Sequence, residues 1–185
     1  MKKLHLYSAS NIEEMAWPEE ILSISRATPA LHFFTDFKHN RPLVIDSSIS
    51  AVDVQKLMKK AHVRLKFVID EHNKFLGVIS TEELIDSIIV QKISEGYSRE
   101  EVLVTDLMRS KNDLSALDYN QLANATIGDV ISALKNSGQQ HCLVVDKEAN
   151  KIRGIFSARD ISRMMQLPID IQEKSSFYKV FIATV

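Results

Sequence analysis

Gly77-Val-Ile-Ser-Thr-Glu-Glu83 and Gly154-Ile-Phe-Ser-Ala-Arg-Asp160 follow one pattern at two places in the sequence. Each has a glycine, two apolar strand formers, a serine, two further residues and a carboxylate, and an apolar stripe at helical spacing follows. The pattern predicts a strand that turns at once into a helix capped by the serine. Such a helix start, with unpaired N–H groups and a hydroxyl, can bind an anion. It can equally be a capping box that stabilises its helix by about 1 kcal/mol and has no other role.

Two further landmarks recur in the same order as these two glycines, which lie 77 positions apart. Phe34-Thr-Asp-Phe37 recurs 70 positions later as Val104-Thr-Asp-Leu107, and Ser50-Ala-Val-Asp-Val54 recurs 76 positions later as Thr126-Ile-Gly-Asp-Val130. Several landmarks in one order predict a duplicated unit. The changing spacing indicates that the second copy gained six residues early and one residue later.

Each copy has the same expected order of elements. A helical stripe is followed by two short apolar runs with a polar turn between them, and then by a second helical stripe. We therefore predict an α+β fold of two units, each roughly β-α-β-β-α with a small three-stranded sheet and two helices. Each unit is small enough to need its twin for burial. The expected boundaries are an extension at 1–27, a first unit at 28–93, a second unit at 98–166, and a tail at 167–185 that adds a possible strand.

Composition excludes several classes of function. The 23 basic and 24 acidic residues are interspersed and leave a formal net charge of −1, so duplex nucleic acid is not an expected partner. No apolar run reaches the length of a membrane span, and residues 5–14 lack the apolar core of a signal peptide. Cys142 is the one cysteine, which rules out an internal disulfide and suits a reducing compartment. We therefore expect a cytoplasmic protein that does not bind membranes.

Over about residues 28–166 the repeat resembles a pair of CBS domains, the tandem modules named after cystathionine β-synthase. The resemblance rests on Thr105-Asp-Leu-Met108, on the apolar strand that ends at Val144-Val-Asp146, on the turn from Gly154 to Asp160, and on the weaker first copies. It implies two units packed face to face about a pseudo-twofold axis, with adenine nucleotides or related ligands in the clefts between them. It also implies regulation rather than catalysis, and a homodimer that uses the helices after each motif.

The resemblance assigns ligand contacts to the second copy. Ser157 would meet phosphate or ribose, Asp160 would accept hydrogen bonds from both ribose hydroxyls, and Arg159 would bind the phosphate. The other contacts expected in this cleft are the turn residue Gly154 and the adenine-side residues Thr105, His141 and Cys142.

A second and weaker cleft would use the first copy, with Ser80 and Glu83 at the helix start and Thr35 beside the adenine. Glu83 is one methylene longer than the aspartate usual at the ribose position. Glu82 stands where the second copy has Arg159, and two adjacent acids would repel a phosphate unless a metal bridged them.

Two features of the second copy also depart from the family pattern. His141 stands where the family tends to have a small residue, so its ring would crowd an adenine. The stretch 110–122 lacks the strand that the family places there and holds the six extra residues. This stretch would either cover the cleft or block it.

We therefore expect a regulatory module that senses AMP, ADP or ATP, with or without magnesium, and changes its contact with an unknown protein partner. The alternative is a structural or interaction module that binds no ligand because its clefts are filled. An enzyme with Asp160 or Glu83 as base lacks a second catalytic group in the motif, so no catalytic residue is assigned. The histidines and the cysteine show no metal-ligand spacing, so we expect no metal site and no required cofactor.

Overall fold

The computed structural model of the chain describes residues 24–171, together with His5, Leu6, Ser8, Ser10, Glu14 and Met15. Most of the predicted extension and nearly all of the predicted tail, including its possible strand, lie outside the described residues.

Two similar runs of short strands and helices make up this part of the chain. The strands are β1 (Thr35–Asp36), β2 (Val44–Asp46), β3 (Leu65–Ile69), β4 (Phe75–Ser80), β5 (Arg109–Ser110), β6 (Ala116–Asp118), β7 (His141–Asp146) and β8 (Lys151–Ser157). The helices are α1 (Ala51–Lys60), α2 (Asp86–Ser94), α3 (Val104–Leu107), α4 (Tyr119–Leu122), α5 (Ile127–Ser137) and α6 (Ala158–Met165), with 3₁₀ turns at Ala30–Phe33 and Lys111–Asp113. The longest of them, α5, has 11 residues, so the described ranges contain no helix of the length that a bilayer crossing requires.

Helices α1 and α5 begin where the repeated Ser/Thr-x-x-Asp pattern predicts them. The hydroxyls of Ser50 and Thr126 accept hydrogen bonds from the N–H groups of Asp53 and Asp129, respectively. These caps satisfy N–H groups that a helix start would otherwise leave without partners. Gly138 ends α5 with a φ of 64°, a left-handed conformation that glycine adopts at little cost.

The strands form two four-stranded sheets, in the orders β2-β3-β4-β5 and β1-β8-β7-β6. In each sheet the two long central strands are antiparallel, and β2 and β6 add in parallel to β3 and β7, respectively. The remaining edge strand comes from the other half of the chain, because β1 pairs with β8 and β5 pairs with β4. The predicted α+β fold of two repeated units is confirmed. Each sheet has three strands from its own half, as expected, and gains a fourth strand from the other half.

The exchanged strands explain the glycine that opens each repeated stretch. A Cβ atom on Gly77 would overlap the backbone oxygen of Arg109, and a Cβ atom on Gly154 would overlap the backbone oxygen of Thr35 and the ring of Phe34. No side chain therefore fits where β5 and β1 cross. Gly154 allows this crossing and does not line the cavity described below, contrary to its predicted place in the cleft.

The register of the exchanged strands corrects one landmark of the repeat. Thr35 lies opposite Ile155 on β8, and Arg109 lies opposite Val78 on β4, so Thr35 corresponds to Arg109. Thr105 instead lies in α3, whose counterpart in the first half is the 3₁₀ turn Ala30–Phe33. The two Thr-Asp pairs share their letters but adopt different structures, which is why the spacing of 70 was misleading.

The stretch 110–122 does contain the strand that the sequence appeared to lack. Ala116, Leu117 and Asp118 form β6 and pair in parallel with Leu143, Val144 and Val145 of β7. This strand has one large apolar residue, Leu117, between an alanine and an aspartate, so its pattern is too weak to identify from sequence. Between this strand and the cap of the next helix the second copy has four more residues than the first, around the short helix α4, and not the six that the mistaken landmark indicated.

Among the described residues, three hydrophobic clusters form the core. One lies between the first sheet and helices α1 and α2, and its equivalent lies between the second sheet and helices α5 and α6. The third joins the two sheets and contains Phe67, Val78, Leu143 and Ile155. Because this third cluster takes two residues from each sheet, each half buries part of its apolar surface against its twin.

A partly buried ion pair joins β1 to the second sheet. Arg153 donates from Nε to Asp36 Oδ1 at 2.7 Å and from Nη2 to Asp36 Oδ2 at 2.6 Å, while its guanidinium lies 4.2 Å from the centre of the Tyr119 ring. The hydrogen bonds from Arg153 lower the pKa of Asp36 to about 2. The corresponding position on β5 is Ser110, so the pseudo-symmetric strand has no such ion pair.

Candidate functional site

A cavity of about 730 Å³ opens at one end of the paired sheets. At this end β4 and β8 finish at Ser80 and Ser157, and β3 and β7 begin at Leu65 and His141. Residues from both predicted clefts therefore line a single cavity. The predicted site residues that it brings together are Thr35, Ser80, His141, Ser157, Arg159 and Asp160.

The Ser157 turn begins a regular helix. The Ser157 hydroxyl accepts a hydrogen bond from the Asp160 N–H at 3.4 Å, and α6 starts directly at Ala158. Arg163, one turn further along, donates to Asp160 Oδ1 at 3.1 Å. This arrangement leaves Oδ2 of a half-exposed carboxylate, an exposed Arg159 and the start of a helix at the edge of the cavity.

The Ser80 turn differs from its predicted form. Residues 81–84 form an isolated turn, and helix α2 begins only at Asp86. The Glu83 carboxylate folds back and accepts hydrogen bonds from the Ser80 N–H, at 2.8 Å, and from the Ser80 hydroxyl. This carboxylate therefore completes the turn instead of facing the cavity.

Arg109 occupies the space above Glu83. It is the counterpart of Thr35, and its Nε lies 3.0 Å from Glu83 Oε1. That nitrogen is fully buried and makes no well-aligned hydrogen bond within the part of the chain that the structure describes, so the contact is mainly electrostatic. Neither Arg109 nor Glu83 lines the cavity. The space that Thr35 leaves open on the Asp160 side is therefore filled on the Glu83 side.

His141 begins β7 beside both carboxylates. Burial lowers the pKa of this imidazole to about 4, and the nearby charges of Arg109 and Arg64 also act in this direction, against Asp160 and Glu83. The ring is therefore neutral at pH 7 and offers one hydrogen-bond donor and one acceptor. A neutral ring at a cavity wall suits the edge of an aromatic base.

Two residues predicted to line the adenine lie elsewhere. Thr105 is in α3, away from the cavity lining, for the register reason given above. Cys142 points into the core of the second half, where burial raises the pKa of its thiol. His141 and Cys142 are neighbours on a strand and so face opposite sides of the sheet, and one of them must miss the cavity.

Sequence reasoning missed several cavity residues from the first half. Arg41 and Arg64 line the cavity, and neither was among the expected site residues. The Thr81 N–H donates to the Arg64 backbone oxygen at 3.0 Å, as the Ala158 N–H does to Gln140 at 2.9 Å. A sequence signal for Arg64 exists, because it directly precedes a strand whose counterpart begins at His141.

Residues 35–90 and 122–166, together more than half of the chain, match the sequence pattern of the CBS domain. The chain belongs to the CBS domain family. Its exchanged edge strands and paired sheets are thus the architecture of a CBS domain pair. No curated protein sequence shows significant similarity to it.

Solved structures of several other proteins share this fold. An uncharacterized conserved protein from Pyrococcus horikoshii is 20% identical, with a TM-score of 0.57 over 80% of this chain and 98% of its own. CBSX2, solved in complex with AMP, is 24% identical, with a TM-score of 0.53 over 74% and 94%. The CBS domain pair of MJ0100, solved with 5′-methylthioadenosine and S-adenosyl-L-methionine, is 17% identical, with a TM-score of 0.53 over 76% and 97%. At these identities the likeness establishes the fold alone.

Proposed function

We propose that this CBS pair is a regulatory module that binds one adenine nucleotide, AMP, ADP or ATP, in the cavity between Ser80 and Ser157. The observation that carries the proposal is the convergence of a helix start, an accessible carboxylate, arginines and a neutral histidine in one cavity. The volume of about 730 Å³ is within the range of small-molecule sites. The ligands in the two complexes named above all contain adenosine, which supports this ligand class.

Each part of the nucleotide has a matching group. Asp160 accepts hydrogen bonds from the ribose hydroxyls through the oxygen that Arg163 leaves free. Arg159 and the α6 start bind phosphate. The base lies against apolar residues of the lining, with the neutral His141 at its edge. Thr35 takes the adenine-side place that was assigned to Thr105. The apolar lining residues are Phe37, Leu43, Leu65, Phe67 and Ile155.

Regulation follows from the origin of the lining residues. They come from both halves, so a bound nucleotide bridges the two units and favours one relative arrangement of them. The resulting change in contact with a protein partner is limited by the ligand's difference in affinity for the two arrangements. The exchange of β1 and β5 provides the mechanical link between the halves.

The same proposal places the protein in the cytoplasm, without catalytic activity, as a homodimer. The dimer would use the helices that follow the two serine turns, which expose Val90, Met164 and, just beyond α6, Leu167. A molecular mass of one chain by light scattering would contradict the dimer without affecting nucleotide binding.

Thermal unfolding tests the ligand class. Wild-type protein is melted with AMP, ADP, ATP, GTP and S-adenosylmethionine, each with magnesium and with EDTA. Ligand at 100 times its Kd adds about 2.7 kcal/mol of stability, which raises Tm by roughly 5–10 °C. Asp160→Ala should abolish the shift by adenine nucleotides. Glu100→Ala, which removes an exposed acid outside the cavity, is the matched control and should retain it.

The outcomes separate the two candidate functions. A shift selective for adenine that Asp160→Ala removes supports the nucleotide sensor. No shift with any ligand supports the alternative of a ligand-free interaction module, which the filled space around Arg109 and Glu83 already favours for one side. Turnover of nucleotide by chromatography would contradict the assignment as a non-enzyme.

A further inference from the structure

The cavity carries more positive charge than a monophosphate needs. Its lining includes the arginines Arg41, Arg64, Arg159 and Arg163 against the carboxylates Glu82 and Asp160. Counted over the arginine, aspartate and glutamate side chains, the lining therefore has an excess of two positive charges, and the neutral His141 adds none at pH 7. A guanidinium binds phosphate oxygens in pairs, so this excess indicates a ligand with more than one phosphate.

The arginines come from both sides of the cavity. Arg159 and Arg163 lie four residues apart on α6 and share one helix face. Arg41 precedes β2 and Arg64 precedes β3, so both belong to the first half. Only the guanidinium of Arg163 is held by a carboxylate; Arg41, Arg64 and Arg159 form no salt bridge to any acid among the residues that the structure describes.

The position of Arg64 connects the two sides. Its backbone oxygen is bound by the Thr81 N–H, which holds it beside the Ser80 turn, and its charge acts on His141 across the cavity. A ligand with its ribose at Asp160 and its first phosphate at Arg159 would need further phosphates to engage Arg64 and Arg41.

We propose that the ligand is an adenosine di- or triphosphate, whose terminal phosphates bind Arg64 and Arg41 of the first half. This inference rests on the proposed nucleotide site and specifies its ligand. AMP leaves the first-half arginines without an anion. S-adenosylmethionine carries a positive sulfonium, which the surplus positive charge repels. The terminal phosphates then bridge the halves, because α6 belongs to one half and Arg64 to the other.

Calorimetric titration with adenosine, AMP, ADP, ATP and S-adenosylmethionine tests this inference, in EDTA and again with magnesium. Wild-type protein should bind ADP or ATP at least tenfold more tightly than AMP. Arg64→Gln should weaken binding of ADP and ATP roughly tenfold, the usual loss of one charged hydrogen-bonding contact, and change AMP affinity by less than twofold. The double variant of Arg41→Gln with Arg64→Gln should bring all three affinities together.

Arg99→Gln is the matched control, because it removes the same charge from an exposed turn outside the cavity and should change no affinity. Arg64→Lys retains the charge and should recover part of the ATP affinity. The melting midpoint of each unliganded variant shows that it is folded. Equal wild-type affinities for AMP and ATP, or tighter binding of S-adenosylmethionine, would overturn the inference and leave the adenine site intact. Failure of every adenosine compound to bind would overturn the proposed function itself.

Discussion

The Ser80 turn and the Ser157 turn begin from the same sequence pattern and end as different structures. Ser157 caps helix α6 and leaves Asp160 half-exposed at the cavity. The Ser80 N–H instead donates a hydrogen bond to the Glu83 carboxylate, and helix α2 begins only at Asp86. The residue that crosses above each turn differs as well, Thr35 in one case and Arg109 in the other. The short side chain of Thr35 leaves the space beside the Ser157 turn open, whereas the long, cationic side chain of Arg109 fills the space beside the Ser80 turn. The crossing strand from the other half thus determines how much space remains beside each turn.

Loss of the close crossing of β1 over Gly154 should have the largest effect on stability. Gly154→Ala places a methyl group against the Thr35 backbone and the Phe34 ring, neither of which can move freely. We expect a loss of about 3 kcal/mol in the free energy of unfolding by urea. Gly77→Ala should cost less, because beyond the Arg109 backbone its nearest side-chain neighbour is the flexible Met108. Equal and small losses, below about 0.5 kcal/mol, would mean that the strands are not held where the structure places them.

Replacing Thr35 by arginine should fill the Asp160 side of the cavity in the way that Arg109 fills the Glu83 side. In Thr35→Arg the new guanidinium would reach Asp160 as Arg109 reaches Glu83. We expect a loss of ATP affinity of at least thirtyfold by calorimetry, the range for losing charged contacts to the ligand. Thr35→Ser is the control and should stay within twofold of wild type. Binding by a folded Thr35→Arg variant at the wild-type affinity would show that the open cavity does not depend on Thr35.

The ion pair of Asp36 on β1 has no equivalent at Ser110 of β5, so the two halves should respond differently to acid. The pKa of Asp36 is lowered from 3.8 to about 2, so its contribution to stability is present above about pH 4 and disappears as the pH falls through 2. Asp36→Asn should lower Tm by roughly 5 °C at pH 7. Between pH 4 and 2 the Tm of wild type should fall towards that of the variant. Parallel melting curves over this range would contradict the role assigned to the pair, and Ser110→Ala on β5 should show no such change.

Much of the fold follows from local pattern. The helical stripes, the two hairpins and the duplicated Gly–Ser–acid stretch predict two α+β units, because each signal lies within a dozen neighbouring residues. The part of the candidate site that lies at strand and helix ends was also predictable from local pattern. Ser157, Arg159, Asp160 and His141 lie at strand and helix ends that the pattern locates, and all four line the cavity.

The remaining features depend on contacts that are distant in sequence. Arg109 meets Glu83, and Asp36 meets Arg153 across 117 positions, and neither pairing leaves a local pattern. Strand β6 has too few apolar residues to be identified alone, and its place depends on pairing with β7. Thr105 and Thr35 share a local pattern for the same reason, and only the register of the exchanged strand puts Thr35, and not Thr105, at the cavity.

The sequence by itself determined the duplicated unit, its α+β class and the polar groups at each strand end, because short-range periodicity and capping chemistry dictate them. The tertiary structure decided which edge strand each sheet receives, which serine turn stays open, and which arginines share a cavity with Asp160. Those outcomes depend on side chains brought together by strand exchange, and a Thr or an Arg at the crossing point satisfies the local pattern equally well.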